Sequence, residues 1–431
     1  MSMKTERLFY ENVYLREFTA RVLFCGEEER GCYVILDRTA FYPEGGGQPA
    51  DTGVLLIPSA EAEAGSGNVA GERTAAENRM VGEKNPKISV RDVQYVGDEI
   101  RHYVDVLPEV GSQVRGCIDW DRRFDLMQQH SGEHLVSGCI HSRYGYDNVG
   151  FHMGEDVITV DVNGLLDEKQ LLEIEKQVNR YIWSNRPVRV FFPDEEERNR
   201  LPYRSKKELT GEVRLVEFPG GDLCACCGLH VEAAGEIGLV KLLSVKHFRQ
   251  GVRMEMVAGG RAMRILHQHK TANSQVAAAL SVKPEETPEA VRRLQEEIFA
   301  LKGQITHFRQ ERFALRAEQC AGKGNVLLLE QGLSSSDIQK EADAVLDVCG
   351  GICAVISLEG NGQGKGGSAR YAVGQRDGDV RALVQEMNGK LQGRGGGRPF
   401  FAQGSLQAER EQIRTFFAGK GFRVLCEKSS Y

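Results

Sequence analysis

The chain has no long hydrophobic run, no apolar leader and no internal repeat. Across 431 residues nothing approaches the roughly 18 consecutive apolar residues that a membrane-spanning helix needs. The first residues, MSMKTERLFYENVYLREF, contain neither an apolar core nor a small-residue cleavage site. The expectation is therefore no secretory signal, no membrane partner and a cytoplasmic location. No self-similarity recurs at 20 to 50 residues, which removes solenoids and propellers from consideration. An excess of positive charge is also missing, since 55 Lys and Arg stand against 61 Asp and Glu, a net charge of −6. Indiscriminate nucleic-acid binding is thereby disfavoured, although a local basic face is compatible with this total.

What is present reads as an ordinary globular protein, 41% hydrophobic and 27% charged, long enough for two to four domains. The eleven cysteines are an odd number in a long chain without a leader, so thiols or metal ligands are expected rather than a disulfide framework. Three of them, Cys224, Cys226 and Cys227, fall within four positions.

Residues 7 to 57 carry short β-branched and aromatic runs such as Tyr33-Val34-Ile35-Leu36, which predict antiparallel strands. Ser59 to Lys87 is rich in Ala, Glu, Gly and Asn and reads as a long excursion, after which strand-like sequence resumes to Val106. Helical spacing appears over 119–142 and over 167–183, where Leu171, Ile174, Val178 and Ile182 form one face. A strand is expected at Val157–Val162, and short strands with Gly-rich turns from Val188 to Val257. From 288 to 319 a heptad pattern places Val291, Ile298 and Ile305 at one core position and Leu294, Leu301, Phe308 and Leu315 at the other, until Arg312 interrupts it. The pattern predicts a two-helix seam, within the chain or between two copies. Beyond Gly324, buried-strand runs at Val326–Leu329 and Ile352–Ile356 alternate with helical stretches at Ile338–Cys349 and Ala382–Leu391, which reads as α/β.

Three segments carry chemistry. In Gln129-His130-Ser131-Gly132-Glu133-His134, histidines four apart on a helix share a face and can reach one cation. In Asp222-Leu223-Cys224-Ala225-Cys226-Cys227-Gly228-Leu229-His230, Cys226 and His230 repeat that spacing in a turn, and thiolate with imidazole suits zinc. In Phe41-Tyr42-Pro43-Glu44-Gly45-Gly46-Gly47-Gln48-Pro49, consecutive glycines permit close backbone approach to a ligand, and Gln48 brings both an amide donor and an acceptor. Each also has a plainer reading: a polar helix face, a cluster of buried thiols, a tight turn.

In that order, the triple-glycine segment, the HxxxH helix and the CxxxH turn resemble the AlaX proteins, relatives of the editing domain of alanyl-tRNA synthetase. The likeness continues through Gly235-Glu236-Ile237-Gly238 and Gly251-Val252-Arg253-Met254-Glu255. It ends with Gly393-Arg394-Gly395-Gly396-Gly397-Arg398-Pro399, similar to the glycine-rich signature of the C-terminal domain that the synthetase shares with DHH-type phosphoesterases. The whole chain is covered, as in the long form of AlaX.

The resemblance implies an α+β multidomain protein: a small β-barrel with the Gly-rich loop (1–110), an α+β editing core with a zinc site (111–262), a helical coiled-coil linker (263–322) and a C-terminal α/β domain (323–431). It makes His130, His134, Cys226 and His230 the ligands of one Zn2+, and His130, His134 and Gln48 the candidate catalytic set. It places Gly45, Gly46, Gly47 and Gln48 beside the aminoacyl pocket. The implied activity is hydrolysis of serine or glycine from mischarged alanine tRNA, in trans, because nothing before residue 7 could house an aminoacylation domain. A homodimer through the coiled coil and C-terminal domain is expected, with Lys390, Arg394 and Arg398 around the Gly-rich segment, read as a loop, as tRNA contacts. Leu229 stands where many relatives have Thr, and Glu133 where synthetases usually lack a carboxylate. Zinc can activate water or polarise the substrate, and both roles stay open here. Two other readings remain: a metallopeptidase, since HSGEH also fits the inverted HxxEH pattern with Glu133 as base, and a non-catalytic tRNA-binding zinc module.

Overall fold

The computed structural model describes residues 4–57, 87–205, 211, 213–359 and 367–426. The excursion expected after Ser59 lies, except for Lys87, outside the described residues. The chain forms two compact units, Met1–Asn273 and Ser274–Tyr431.

The first unit begins with β1 (Glu6–Arg7) and a single helical turn, α1 (Leu8–Glu11). The strands β2 (Glu17–Glu28), β3 (Gly31–Leu36), β5 (Gly53–Leu56), β6 (Lys87–Val96), β7 (Glu99–Val104) and β8 (Gln113–Ile118) close a six-stranded barrel in the order β2-β3-β7-β6-β5-β8. The short β4 (Arg38–Thr39) pairs instead with β1. Alternation along β2 turns Phe18, Ala20 and Val22 inward, where they meet Val34, Leu36, Ile88, Val90 and Val114.

Helix α2 (Trp120–Tyr144) follows directly, its N-terminus capped by the Asp119 carboxylate, which accepts from Arg122 N–H. Behind it come β9 (Asn148–Met153), β10 (Ile158–Val162) and α3 (Glu168–Trp183), which an Asp167–Gln170 capping box starts. Next are β11 (Arg189–Phe191), α4 (Glu195–Arg200), β12 (Leu215–Phe218), β13 (Asp222–Ala225), β14 (Val240–Phe248) and β15 (Gly251–Ala258). They make a four-stranded antiparallel sheet, β14-β15-β10-β9, and a three-stranded one, β11-β12-β13. Helix α2 packs against α3, β13 and β15. One continuous hydrophobic core runs from the barrel through α2 to these sheets.

A fully buried ion pair locks α2 onto the barrel. Arg123 Nε donates to both Asp51 oxygens at 2.9 Å, and its other nitrogens donate to the carbonyls of Val13 and Ala40. Asp51 also accepts from Tyr42 N–H, at 2.6 Å. The barrel segment leading to the glycine loop is therefore held by the same helix that carries the histidines.

The unit division falls within α5 (Gly259–Ala279), which α6 (Thr287–Cys320) follows. The second unit continues with β16 (Gly324–Gln331), α7 (Ser335–Leu346), β17 (Gly350–Leu358), β18 (Ser368–Gly374), α8 (Arg381–Lys390), β19 (Arg394–Arg398), β20 (Phe401–Gln407), α9 (Arg410–Ala418) and β21 (Arg423–Cys426). Its six-stranded sheet runs β19-β20-β18-β17-β16-β21, parallel where β16 meets β17 and β21. Both faces are covered. Val326 and Leu328 pack with α6 and α7, while Leu327 and Leu329 share a cluster with residues of α8 and α9.

One feature here differs from the reading of the sequence. The segment Arg394–Arg398, read as a loop, is an edge strand paired with β20 from Arg394↔Ser405 to Arg398↔Phe401. Along α6 the heptad residues are exposed, among them Leu294, Ile298, Leu301, Ile305, Phe308 and Leu315. Its buried residues, Thr287, Ala290, Phe313, Ala317 and Cys320, lie outside that set.

Candidate metal centre and its cavity

Helix α2 presents His130 and His134 one turn apart, ring centroids separated by 5.3 Å. Strand β13 leads into the turn that delivers Cys226 and His230, and the His230 ring lies 4.5 Å from each of the other two. One donor atom from each of the four residues falls within 4.8 Å of the others. The three histidines are at most 3% exposed. Gly228 is needed inside this turn, because a Cβ there would lie 2.1 Å from the His130 ring.

Each imidazole is held from its outer side. His130 Nδ1 lies 3.0 Å from Gln48 Oε1, which also accepts from Leu229 N–H at 2.9 Å. That second bond identifies the atom as the amide oxygen, so His130 Nδ1 must donate and its Nε2 keeps a lone pair. His134 Nδ1 meets Asp222 Oδ2 at 3.1 Å, which fixes its tautomer in the same way. His230 Nδ1 is 3.2 Å from Ser131 Oγ, itself an acceptor for Val231 N–H. His230 Nε2 is buried without a hydrogen-bond partner among the described residues. A buried nitrogen left in this state is costly unless something electrophilic occupies the centre.

The electrostatics favour a cation. Burial opposes a thiolate at Cys226, yet His130 and the surrounding imidazole hydrogen bonds hold that thiol well below its ordinary range. Burial, with His130 and His134 close by, pushes His230 well below the usual histidine value and keeps it neutral. Burial also disfavours the Asp222 carboxylate, but His134 and Arg204 keep it below its ordinary value. Arg204 grips Asp222 through two hydrogen bonds, at 2.7 and 2.8 Å. Cys224 sits with His134 and Asp222 in a second possible set, but burial raises its thiol to about 11, which leaves it protonated. One thiolate and three imidazole nitrogens are a borderline-soft set that fits zinc.

The turn itself is clamped by side chains from elsewhere in the unit. Arg214 Nη1 donates to the carbonyls of Cys226 and Gly228 at 2.9 and 2.8 Å. The Tyr10 hydroxyl donates to the Cys227 carbonyl at 2.9 Å, and the Tyr42 hydroxyl is shared between the carbonyls of Gly45 and Cys227, at 3.0 and 3.2 Å.

A cavity of about 650 Å³ opens onto His130, His134 and Cys226. Gly46 and Gly47 line one side in left-handed conformations, φ 61° and 82°. Phe151 lies nearly parallel to His130, centroids 5.6 Å apart. Glu133 also faces the cavity, and its Oε1 accepts from Ser137 Oγ and Asn148 Nδ2. The third ligand that the peptidase pattern requires is a carboxylate, whereas the donors gathered here are Cys226 and His230.

The structure thus gathers His130, His134, Cys226 and His230, with Gly46 and Gly47 on the cavity wall. Gln48 is fully buried behind His130, and Gly45 and Gln48 do not line the cavity. Lys390, Arg394 and Arg398 belong to the second unit. Lys390 pairs with Glu386, and both arginines are exposed on β19. Sequence reasoning missed Asp222, Ser131, Arg204, Arg214, Tyr10 and Tyr42. Asp222, Ser131 and Tyr42 sit inside the motifs already quoted, and the first two could have been found by asking what orients each imidazole. Arg204, Arg214 and Tyr10 carry no local signal.

Three domain families match in succession: "tRNA synthetases class II (A)" over residues 10–122, "Threonyl and Alanyl tRNA synthetase second additional domain" over 213–254, and "DHHA1 domain" over 322–418. Barrel, CxxxH turn and C-terminal sheet thus each fall within a matched domain family, the first two named for tRNA synthetases. The alanine–tRNA ligase of Halorubrum lacusprofundi is 34% identical over 418 residues, 93% of this chain and 42% of that protein. The ligase of Pyrococcus abyssi is 29% identical over 423 residues, again 42% of its length, so this chain spans about two fifths of such relatives. The alanyl-tRNA editing protein AlaX-L of Pyrococcus horikoshii is 27% identical over 432 residues, 95% of this chain and 96% of that one. Along almost its whole length the chain is therefore similar to a long-form AlaX protein, with parts that match domain families of tRNA synthetases and the DHHA1 domain. Among the described residues, no helix is long and apolar enough to cross a membrane.

Proposed function

We propose that this chain is a zinc-dependent aminoacyl-tRNA deacylase that removes serine or glycine from alanine tRNA charged elsewhere. The observation that carries the reading is the convergence of three anchored imidazoles and a thiolate, with His130, His134 and Cys226 at the wall of a cavity. The near end-to-end likeness to an alanyl-tRNA editing protein supports it. His130, His134, His230 and Cys226 would hold the metal, which as a Lewis acid supplies polarisation of an ester carbonyl or acidification of water. The protein's own part is orientation. Gln48, Asp222 and Ser131 fix the three rings, and the glycine loop with Phe151 bounds a space for a small aminoacyl group. Serine and glycine differ from alanine by one hydroxyl or one methyl, differences that a single binding step discriminates poorly and a second hydrolytic site corrects. Such work belongs in the cytoplasm, with the tRNA.

On this reading, the barrel and core (1–110 and 111–262) form the editing module, 263–322 the helical linker and 323–431 a tRNA-affinity domain. The exposed apolar seam of α6 supports homodimerisation, and Leu301→Lys is expected to yield monomers in light scattering. Lys390, Arg394 and Arg398 would contact tRNA phosphates. Replacing all three by Ala is expected to weaken tRNA binding and flatten its salt dependence while turnover at saturation persists.

The deciding assay compares hydrolysis of seryl-, glycyl- and alanyl-tRNA for alanine. Release of serine or glycine well above alanine supports the reading. No release from any of the three by zinc-loaded protein would sink it.

A further inference from the structure

One charged group on the cavity wall plays no part in the chemistry above. Among the described residues that line the cavity, Glu133 alone carries a carboxylate and Arg204 alone a guanidinium. Arg204 is committed elsewhere, since its Nε and Nη2 donate to the two Asp222 oxygens at 2.7 and 2.8 Å. Glu133 is 4% exposed, and glutamate is seldom buried so far without a charged or strongly polar partner. Desolvating a carboxylate at the edge of a cavity is costly, and perturbed groups of this kind gather at functional sites.

The groups around Glu133 hold it as an acceptor. Asn148 Oδ1 accepts from Gly150 N–H at 3.1 Å, so the amide nitrogen is the atom that donates to Glu133 Oε1. Ser137 Oγ accepts from the same nitrogen at 3.3 Å and gives its own hydrogen to Oε1. Both are neutral donors.

Two elements read together give the carboxylate its place. Along α2, His130 comes first, then Glu133 and His134, then Ser137. Along β9, Phe151 lies against His130 and would meet a Cβ on Gly47 at 2.6 Å, whereas Asn148 meets Glu133. From Asn148 to Phe151 the strand advances about 10 Å at 3.3 Å per residue. The cavity therefore has a tight, neutral end at the glycine loop and His130, and an anionic end at Glu133 beside His134.

An aminoacyl ester has the same polarity. Its Cα carries a small neutral side chain on one bond and an ammonium group on another. We propose that Glu133 binds the α-ammonium group of the aminoacyl ester and so selects acyl groups with a free amine. The inference rests on the deacylase reading above and adds what orients the acyl group. With the ester carbonyl at the histidine cluster, an ammonium held at Glu133 turns the side chain toward Gly46 and Gly47, where Cys227 and Phe151 close on the loop.

The test uses the full-length, zinc-loaded protein and two esters of nearly equal size. One is seryl-tRNA for alanine. The other is its α-hydroxy analogue, made by nitrous-acid deamination, in which a neutral hydroxyl replaces the ammonium. Each rate is taken relative to the spontaneous hydrolysis of that ester. Wild type is expected to favour the amine about tenfold or more in kcat/KM, the scale of one hydrogen bond to a charged group. Glu133→Gln keeps the size of the side chain and an acceptor for Ser137 and Asn148. It should cost seryl-tRNA about tenfold, mainly through KM, and change the analogue little, so that the preference disappears. Glu133→Asp, which keeps the charge, should retain part of the preference, and metal content should match wild type in both variants. The wild-type KM for seryl-tRNA should climb as pH rises through the substrate amine, whose ordinary range is about 7.7–8.0, and stay flat in Glu133→Gln.

An equal loss on both esters in Glu133→Gln would make Glu133 a general base or a prop for α2 and overturn the proposal. A wild type that treats the two esters alike would overturn it too, and that comparison needs no variant to fold. Failure of the deacylase reading looks different: wild type would then turn over neither ester.

Discussion

Among the described residues each unit buries a cluster of ionisable side chains, and the two solve burial in opposite ways. In the first unit His130, His134, His230 and Cys226 turn donor atoms toward a common centre, and their outer atoms are tied to Gln48, Asp222 and Ser131. In the second, Glu330 and Glu341 are buried near the arginines of α6, with Arg312 3.2 Å and Arg316 3.5 Å from Glu330. There the protein supplies its own cations. Buried charge is thus no mark of function by itself. What distinguishes a site is a set of donors that converge with no internal cation to receive them.

That contrast can be broken by mutation. Cys226→Ala removes a ligand outright and is expected to cost more metal affinity than the roughly 10–100-fold typical of an outer partner, with deacylation falling in step. Elemental analysis of the purified variant checks it, and unchanged metal content would remove Cys226 from the ligand set. Asp222→Asn takes the carboxylate from both His134 and Arg204, and metal affinity should fall about 10–100-fold in competition with a chelator. Ser131→Ala, which removes only a neutral partner of His230, should cost less than Asp222→Asn. The reverse order would mean that the outer charge does not tune this centre.

Glu341 sharpens the other side of the comparison. Burial and the Glu330 carboxylate raise its carboxyl from 4.5 to about 8, whereas Arg312 and Arg316 pull it down. The folded protein then holds a proton that the unfolded chain releases near 4.5, so stability declines as pH rises between about 4.5 and 8. Glu341→Gln should remove that slope. The second unit of the variant should melt a few degrees higher than wild type at pH 8, with little difference near pH 5. Metal content should stay as in wild type. A parallel pH dependence in the two proteins would show that Glu341 ionises freely.

Much of the metal centre was legible because its donors come as two local pairs, each with a four-residue spacing that one turn of chain can satisfy. The helices at 167–183 and 119–142 were legible for the same reason, since caps and apolar periodicity are local. Arg204, Arg214, Tyr10 and Tyr42 were not, because their roles exist only once distant segments meet. The run Arg394–Arg398 misled in a different way. Its glycines suggest a loop, but Gly395 faces Gly404 and Gly397 faces Ala402 across β20, and the pairing made possible by small residues on both strands outweighs poor strand propensity.

The clamp on the Cys227 carbonyl has a consequence for anyone recombining these modules. Tyr10 and Tyr42 come from the N-terminal segment and the barrel, yet their hydroxyls end on the turn between two ligands supplied by the core. A chimera joining this core to a foreign barrel near residue 110 would keep all four candidate ligands and lose the hands that hold the turn carrying two of them. Barrel and core act as a matched pair across this turn, and loss of metal in such a hybrid would report a missing tyrosine as readily as a missing cysteine.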